Sequence, residues 1–280
     1  MEKTKLAIMG AAGNMGTRVS KTLKLTGKYD LYFLEQGDAG IEKIKNRGDA
    51  VSDSDATLAI ADVVVFALPD HLIGKIAPTV VPKMKTGAML ITLDPAAPLA
   101  GKLPPRSDVT YFITHPGHPP IFNDEVTVEA KHDFFGSGVA KQSIVSAILQ
   151  GPDSDFALGE QVSKDMFGPI IRSHKVTLEQ MAILEPALSE TVAATCCVIM
   201  KEAMDEAIKM GVPAEAARDF LLGHINIPLA IVFGEIKWNF SEGAQTAIRE
   251  GKKVLIKDDW KEQIFNMDAI RKSINRITQS

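Results

Sequence analysis

The sequence predicts an α/β fold, with a doubly wound parallel sheet in the N-terminal half and an all-helical C-terminal half. Up to about residue 151, short β-branched apolar runs alternate with amphipathic or Gly/Pro-rich segments, a pattern typical of βαβ units. From residue 156 onward, apolar residues recur at helical spacing instead. A chain of 280 residues also favours two domains. We therefore expect an N-terminal domain over residues 1–152 and a helical domain over residues 153–280.

Five apolar runs predict the strands of the sheet. They cover residues 5–9, 30–35, 62–68, 88–93 and 110–115. In the second half, residues 177–210 predict a long helix in which Pro186 marks a kink or a break. Gly211 is expected to end this helix, and Pro213 to open the next one.

A glycine-rich turn follows the first strand directly and opens a helix. Its glycines fall where the backbone must bend sharply and approach a pyrophosphate, which predicts a dinucleotide site of the Rossmann type. The spacing is GxxGxxG rather than the commoner GxGxxG, so the prediction depends on the strand, turn and helix occurring in this order. The predicted cofactor-binding residues of the turn are Gly10, Ala12, Gly13, Asn14, Met15 and Gly16.

Two further segments contribute to the predicted cofactor site. Glu35 ends the second strand about 20 residues past the glycines, where a carboxylate can bind both hydroxyls of an adenosine ribose. Its charge would repel a 2′-phosphate, so the sequence predicts NAD, with Asp38 as a weaker substitute for Glu35. Leu68 and Pro69 follow the third strand at the sheet edge that binds ligands. His71 either contacts the dinucleotide there or is a solvated helix cap.

The fifth strand leads into a loop with two histidines, His115 and His118, which three prolines and a glycine make stiff. One imidazole could take the proton from a hydroxyl as hydride leaves the same carbon, or either could bind a metal. A purely structural proline-rich turn is the alternative. In the helical half, Glu185 and Glu190 flank Pro186 within an apolar stretch, where carboxylates are costly to bury without partners. A kink could bring them together, whereas the alternative leaves one or both in solvent.

The composition excludes several classes of protein. A net charge of -4 with interspersed signs leaves no basic stripe for nucleic acid. We see no stretch that approaches the roughly 20 apolar residues of a membrane span, and no export signal. The two cysteines, Cys196 and Cys197, are adjacent and cannot link distant segments. We therefore expect a cytoplasmic protein that acts on a small molecule, without nucleic acid or membrane partners.

Residues 201–213 resemble the close of the long helix in 6-phosphogluconate and β-hydroxyacid dehydrogenases. Those enzymes also pair a Rossmann domain with an all-helical one. By that family's spacing, its catalytic lysine falls at Pro186 and its substrate-binding asparagine at Glu190, so the role of the lysine is not carried over. Residues 115–125 and 185–191 resemble a smaller group of oxidoisomerases within this superfamily.

The resemblance implies an NAD-linked oxidation of a branched polyhydroxy acid at its C2 hydroxyl, followed by a 1,2-shift of a hydroxymethyl group to give a 3-oxo acid. Such a rearrangement needs a base for the tertiary alcohol and an electrophile on the new ketone. A divalent metal ion supplies both. His115 and Glu190 are therefore the candidate metal ligands or acid/base groups, with His118 and Glu185 in support.

Two other functions remain open. The first is a plain NAD-dependent 2- or 3-hydroxyacid dehydrogenase without isomerisation, and the second is a non-catalytic NAD-binding protein. By analogy with related helical domains we also expect a homodimer, because residues 186–200 carry more apolar surface than one small helical domain covers.

Overall fold

Among residues 2–279, which the computed structural model describes, seven strands form one sheet in the order β2-β1-β3-β4-β5-β6-β7. Their bounds are β1 (Thr4–Met9), β2 (Tyr29–Leu34), β3 (Val63–Phe66), β4 (Met89–Thr92), β5 (Thr110–Pro116), β6 (Gln142–Gln150) and β7 (Ile170–Lys175). Strands β1 to β5 are all parallel to their neighbours. The five predicted strands are therefore confirmed, each end within about two residues, which is the usual accuracy at strand ends.

The last two strands depart from the prediction. β6 runs antiparallel to β5, and β7 pairs parallel to β6 inside the stretch that was expected to be wholly helical. That expectation is wrong for Ile170–Lys175. The strand lies at the edge of the sheet and most of its side chains are exposed, so its sequence IIRSHK lacks the buried apolar run that identified the other strands.

Helices cover both faces of the sheet, as a buried parallel sheet requires. Alternate strand residues point to opposite faces, so Leu6 and Ile8 join one apolar cluster while Ala7 joins the other. The helices of this part are α1 (Asn14–Thr26), α2 (Asp38–Asn46), α3 (Ser54–Leu58), α4 (Asp70–Val80), α5 (Ala96–Leu99), α6 (Val128–His132), α7 (Phe156–Phe167) and α8 (Leu178–Ala182).

The remaining elements of the described chain are all helical. They form a π-helical segment (Ile183–Ala194), α9 (Thr195–Lys209), α10 (Ala214–Val232), α11 (Glu242–Leu255), α12 (Trp260–Ile264) and α13 (Met267–Ile277). Pro186 lies in the π-helical segment, which explains why the predicted long helix is irregular at this point. Gly211 adopts a left-handed φ of 101° after α9, and Pro213 precedes α10, so the predicted helix end and the next helix start are confirmed.

The chain divides into two compact units. The first contains the residues up to Glu185 together with the segment that begins at Arg271, and the second is Pro186–Ile270. The first unit carries the sheet and the second is helical. The division lies beyond the expected boundary at residue 152, because β7 extends the sheet and α7 packs against it.

One helical stretch of the described chain, Leu178–Lys209, is long and apolar enough to cross a membrane by length and composition, since an 18-residue window within it has a mean hydropathy of 1.5. The expectation that no stretch comes near this limit is therefore wrong. The expectation was based on runs of uninterrupted apolar residues. A helical window that contains a few charged residues can reach the same mean hydropathy.

Candidate active site

The glycine turn between β1 and α1 leaves no room for side chains at two positions. Gly10 has a left-handed φ of 78°, and a Cβ atom there would lie 2.5 Å from the carbonyl oxygen of Ala67. A Cβ atom on Gly16 would overlap the carbonyl oxygen of Gly10. These two positions therefore require glycine. Gly13 and Asn14 are exposed at the start of α1, where a helix N-terminus attracts phosphate groups.

Glu35 lies against the glycine turn. Its Oε2 accepts a hydrogen bond from the backbone N–H of Ala12 at 2.9 Å, and its Oε1 accepts one from Gln36 at 3.1 Å. The carboxylate is thus held at the carboxyl end of β2, beside the turn that the sequence predicts to bind the pyrophosphate. Asp38 is exposed at the start of α2.

The segment after β3 borders the same turn. A Cβ atom on Gly10 would lie 2.9 Å from Cδ2 of Leu68, so Leu68 is a close neighbour of the turn. Pro69 is exposed before α4, and His71 is half-buried in the first turn of that helix. The loops after β1 and β3 therefore meet where the strand order reverses, which is where doubly wound sheets bind their ligands.

His115 lies at the carboxyl end of β5, beside the end of β4. Thr92 pairs with Ile113 between these parallel strands, so the residues that follow β4 come next to His115. Nδ1 of His115 lies 2.8 Å from the carbonyl oxygen of Leu93. Because a carbonyl only accepts, Nδ1 carries the hydrogen, and Nε2 of the neutral ring has a lone pair.

Two carboxylates approach this imidazole. Oε2 of Glu185 lies 3.4 Å from Nε2 of His115, and Oδ2 of Asp94 lies 3.8 Å from Nδ1. One ligand atom from each of the three residues lies within 4.8 Å of the others, and all three side chains are half-buried. The structure thus brings together two predicted residues, His115 and Glu185, and adds Asp94. Sequence reasoning missed Asp94, although an acid directly after a predicted strand was the signal for it.

A further acid, Asp70, lies at the start of α4 and was also missed. Burial and the negative charge of Asp94 raise the pKa of Asp70 to about 6, although a hydrogen bond from the backbone N–H of Ala97 opposes the shift. Negative charge is therefore concentrated at this edge of the sheet. A cation bound there would be stabilised by it.

His118 is held by the same loop. Among the described residues that are not glycine, His118 is the one with a positive φ, at 58°. Its Nδ1 lies 3.2 Å from the carbonyl oxygen of Phe135. Its ring stands edge-on to that of His115 at a centroid distance of 6.3 Å. Burial lowers the pKa of His118, because it disfavours the charged imidazolium. Backbone strain of this kind is common at ligand sites.

Glu190 lies in the second unit, in the π-helical segment, and is exposed. Among the described residues, the cluster that could hold a metal ion contains Glu185 and not Glu190. The pairing of His115 with Glu190 as metal ligands stays a prediction.

Comparisons with known proteins agree with this architecture. Residues 123–278 match the family model of the phosphogluconate dehydrogenase (decarboxylating) C-terminal domain, and residues 1–120 match that of the acetohydroxy acid isomeroreductase NADPH-binding domain. The chain is 50% identical to a D-apionate oxidoisomerase from Cupriavidus necator, over 99% of this chain and 100% of the relative. It is also 50% identical to a D-apionate oxidoisomerase from Rhizobium rhizogenes, over 98% of this chain and 100% of that relative.

A solved structure is also similar to this chain. It is that of a semialdehyde dehydrogenase NAD-binding protein from Cupriavidus necator in complex with calcium and NAD, with a TM-score of 0.95, 50% identity, and coverage of 99% of this chain and 100% of that chain. Coverage of 99% of this chain includes both compact units. The chain therefore belongs to the D-apionate oxidoisomerase family, within the superfamily of 6-phosphogluconate and β-hydroxyacid dehydrogenases, and is an NAD-dependent oxidoreductase.

Proposed function

We propose that this chain oxidises D-apionate at its C2 hydroxyl with NAD and couples the oxidation to a 1,2-shift, which gives 3-oxoisoapionate. The two D-apionate oxidoisomerases at 50% identity support the substrate. The observation that carries the proposal is the cluster of Asp94, His115 and Glu185, because it places an imidazole base beside two carboxylates that could hold a cation, and this chemistry needs a base and an electrophile at one point. The carboxylate of Glu35 supports NAD as the cofactor.

In the oxidation, hydride leaves C2 for the nicotinamide and the C2 hydroxyl loses its proton. His115 is placed to accept that proton at Nε2, since its Nδ1 already donates to Leu93. Glu185, 3.4 Å from Nε2, would stabilise the imidazolium that forms.

In the rearrangement, the C3 hydroxyl loses a proton, the hydroxymethyl group migrates with its electron pair from C3 to C2, and the C2 carbonyl oxygen gains a proton. Negative charge therefore moves between two neighbouring oxygens. A divalent cation, when bound, supplies the electrophile that stabilises this charge. The imidazole of His115 can return its proton to the C2 oxygen, and the proton of the C3 hydroxyl is released to solvent, so the whole reaction yields the 3-oxo acid, NADH and one proton.

The test uses D-apionate labelled with carbon-13 at C3, incubated with the protein and NAD. We expect NADH to form and the labelled carbon to become a ketone, read by carbon NMR. A labelled tertiary alcohol next to a 2-oxo group would instead identify a plain hydroxyacid dehydrogenase. Absence of NADH formation with D-apionate would contradict the proposal altogether.

We infer that the chain is a soluble, cytoplasmic homodimer that binds neither nucleic acid nor membranes. Large apolar side chains of the helical unit are exposed in the single chain, with Phe233 at 70% and Trp238 at 72% exposure. Such a surface is typical of a protein interface, and a second copy would cover it. Sedimentation velocity at micromolar concentration should give a species of twice 30.3 kDa. A single 30.3 kDa species would contradict the dimer.

A further inference from the structure

The C3 hydroxyl needs a base of its own in the proposed reaction. His115 accepts the proton of the C2 hydroxyl and returns it to the same oxygen, so its imidazole is already protonated when the rearrangement begins. A protonated imidazole cannot accept a second proton. The proton of the C3 hydroxyl therefore goes to a different acceptor, and a positioned side chain is a better acceptor than water.

His118 has the same hydrogen-bonding arrangement as His115. Nδ1 of His118 lies 3.2 Å from the carbonyl oxygen of Phe135, as Nδ1 of His115 lies 2.8 Å from that of Leu93. Because a carbonyl only accepts, Nδ1 carries the hydrogen in each neutral ring, and Nε2 has the lone pair. Among the described residues, none is hydrogen-bonded to Nε2 of His118. This nitrogen is thus available to accept a proton.

The two imidazoles lie close enough to serve one substrate molecule. Both follow β5 in the same loop, and their ring centroids are 6.3 Å apart. A ligand with two neighbouring hydroxyls can contact both rings through hydrogen bonds of about 2.7–3.2 Å. The C2 and C3 hydroxyls of D-apionate form such a pair. Each imidazole can therefore serve one of the two hydroxyls.

The carbonyl that fixes the ring of His118 belongs to a firmly held loop. The carbonyl next to that of Phe135, on Gly136, accepts hydrogen bonds from Nη2 of Arg18 at 3.0 Å and from Nε2 of Gln142 at 2.9 Å. These two donors are buried, with exposures of 9% and 0%. Hydrogen bonds between groups this buried are strong and make a rigid support. The loop therefore holds the imidazole of His118 in one orientation.

The surroundings of His118 allow a proton to leave. His118 is half-buried, but the preceding residue, Gly117, is exposed. The ring of Phe135 stands 5.8 Å from that of His118, and Phe135 is 68% exposed. A proton taken up by His118 therefore has a short path to solvent, as the overall reaction requires.

We propose that His118 is a second catalytic base, whose Nε2 accepts the proton of the C3 hydroxyl during the 1,2-shift. The electron pair of the O–H bond forms the new C3 carbonyl, while the hydroxymethyl group takes the electron pair of its bond to C3 and attaches to C2. The C2 oxygen takes back the proton held by His115. The imidazolium of His118 then releases its proton to solvent. This role rests on the proposed function, because a plain dehydrogenase leaves the C3 hydroxyl intact.

The variant His118→Asn separates the two chemical steps. Asparagine tolerates the left-handed φ of 58° at this position, and its amide can donate to the carbonyl of Phe135, so the loop should keep its shape. Excess enzyme is mixed with NAD and D-apionate labelled with carbon-13 at C3, and the reaction is quenched at intervals. We expect NADH to form at the wild-type rate. Ketone formation at the labelled carbon should be about 10²- to 10⁴-fold slower, the usual contribution of a positioned base, so a labelled tertiary alcohol beside a 2-oxo group should accumulate.

A second variant, His118→Gly, removes the side chain altogether. Glycine readily adopts the left-handed conformation of this position, so the variant should fold. It should show the same loss of ketone formation. Added imidazole should restore ketone formation and leave NADH formation unchanged, because it replaces only the missing base.

The matched control is His132→Asn. His132 ends α6, close to Phe135 in the sequence, and its Nδ1 also lies near a backbone carbonyl, that of Val128 at 2.8 Å. Unlike His118 it is exposed. Both chemical steps should run in this variant as in the wild type. Circular dichroism checks that all three variants are folded.

The position of the label distinguishes a wrong base from a wrong reaction. Ketone formation at the wild-type rate in His118→Asn and His118→Gly would overturn the second base and leave the proposed reaction standing. Equal slowing of NADH and ketone formation would also overturn it, because His118 would then support the site as a whole. A wild-type product whose labelled carbon stays a tertiary alcohol would contradict the proposed reaction and the second base with it.

Discussion

Replacing His115 with asparagine should lower kcat by about 10²- to 10⁴-fold, the usual contribution of a positioned acid or base, while the protein still folds and binds NAD. The asparagine amide can keep the hydrogen bond that Nδ1 of His115 makes to the carbonyl of Leu93. It has no counterpart of Nε2, the atom that faces Glu185. The loss should therefore fall on turnover and not on the fold.

The control for this variant is His174→Asn. His174 is exposed on the edge strand β7, and its replacement should leave kcat unchanged. Turnover is followed by NADH formation, and NAD affinity by calorimetric titration. A His115→Asn protein that keeps a third or more of the wild-type kcat would show that this imidazole takes no part in the chemistry.

Replacing Glu35 with glutamine should weaken NAD binding by about 10- to 100-fold, because hydrogen bonds to a charged acceptor contribute about 1.5–3 kcal/mol. NADP binding should improve, since the charge that repels the 2′-phosphate is gone. Glutamine keeps an oxygen that can accept the N–H of Ala12, so the glycine turn retains its shape. The change should therefore act on cofactor affinity and choice, with the loss of the hydrogen bond that Oε1 of Glu35 accepts from Gln36.

Asp38→Asn is the control for cofactor choice, because Asp38 is the nearest alternative acid and is exposed at the start of α2. Its preference for NAD should equal that of the wild type. The measurement is the ratio of the dissociation constants for NAD and NADP by calorimetry. An unchanged ratio in Glu35→Gln, or a lost preference in Asp38→Asn, would contradict the assignment of Glu35.

The fold could be predicted wherever burial left a clear pattern. Strands β1 and β3 to β5 are largely buried on both faces and read as apolar runs, and the edge strand β2 keeps partly buried apolar side chains. Strand β7 could not be found in this way, because an edge strand with exposed side chains has no such run. Its place in the sheet depends on pairing with β6, which is a tertiary contact and not a local preference.

The site was predicted in part for a similar reason. His115 and Glu185 stand out in the sequence because prolines flank them, whereas Asp94 becomes significant only when β4 is known to lie beside β5. The choice between Glu185 and Glu190 depends on the helical phase around Pro186. The π-helical segment there changes which residues share a face, and no sequence rule fixes where such a segment begins.

The crowding around Gly10 and Gly16 limits how the enzyme could be re-engineered. Even a methyl group at either position would collide with the main chain, so a library that randomises this turn would consist largely of inactive proteins. Mutagenesis for acceptance of the phosphorylated coenzyme belongs instead at the end of β2, where a side chain can be exchanged without moving the backbone.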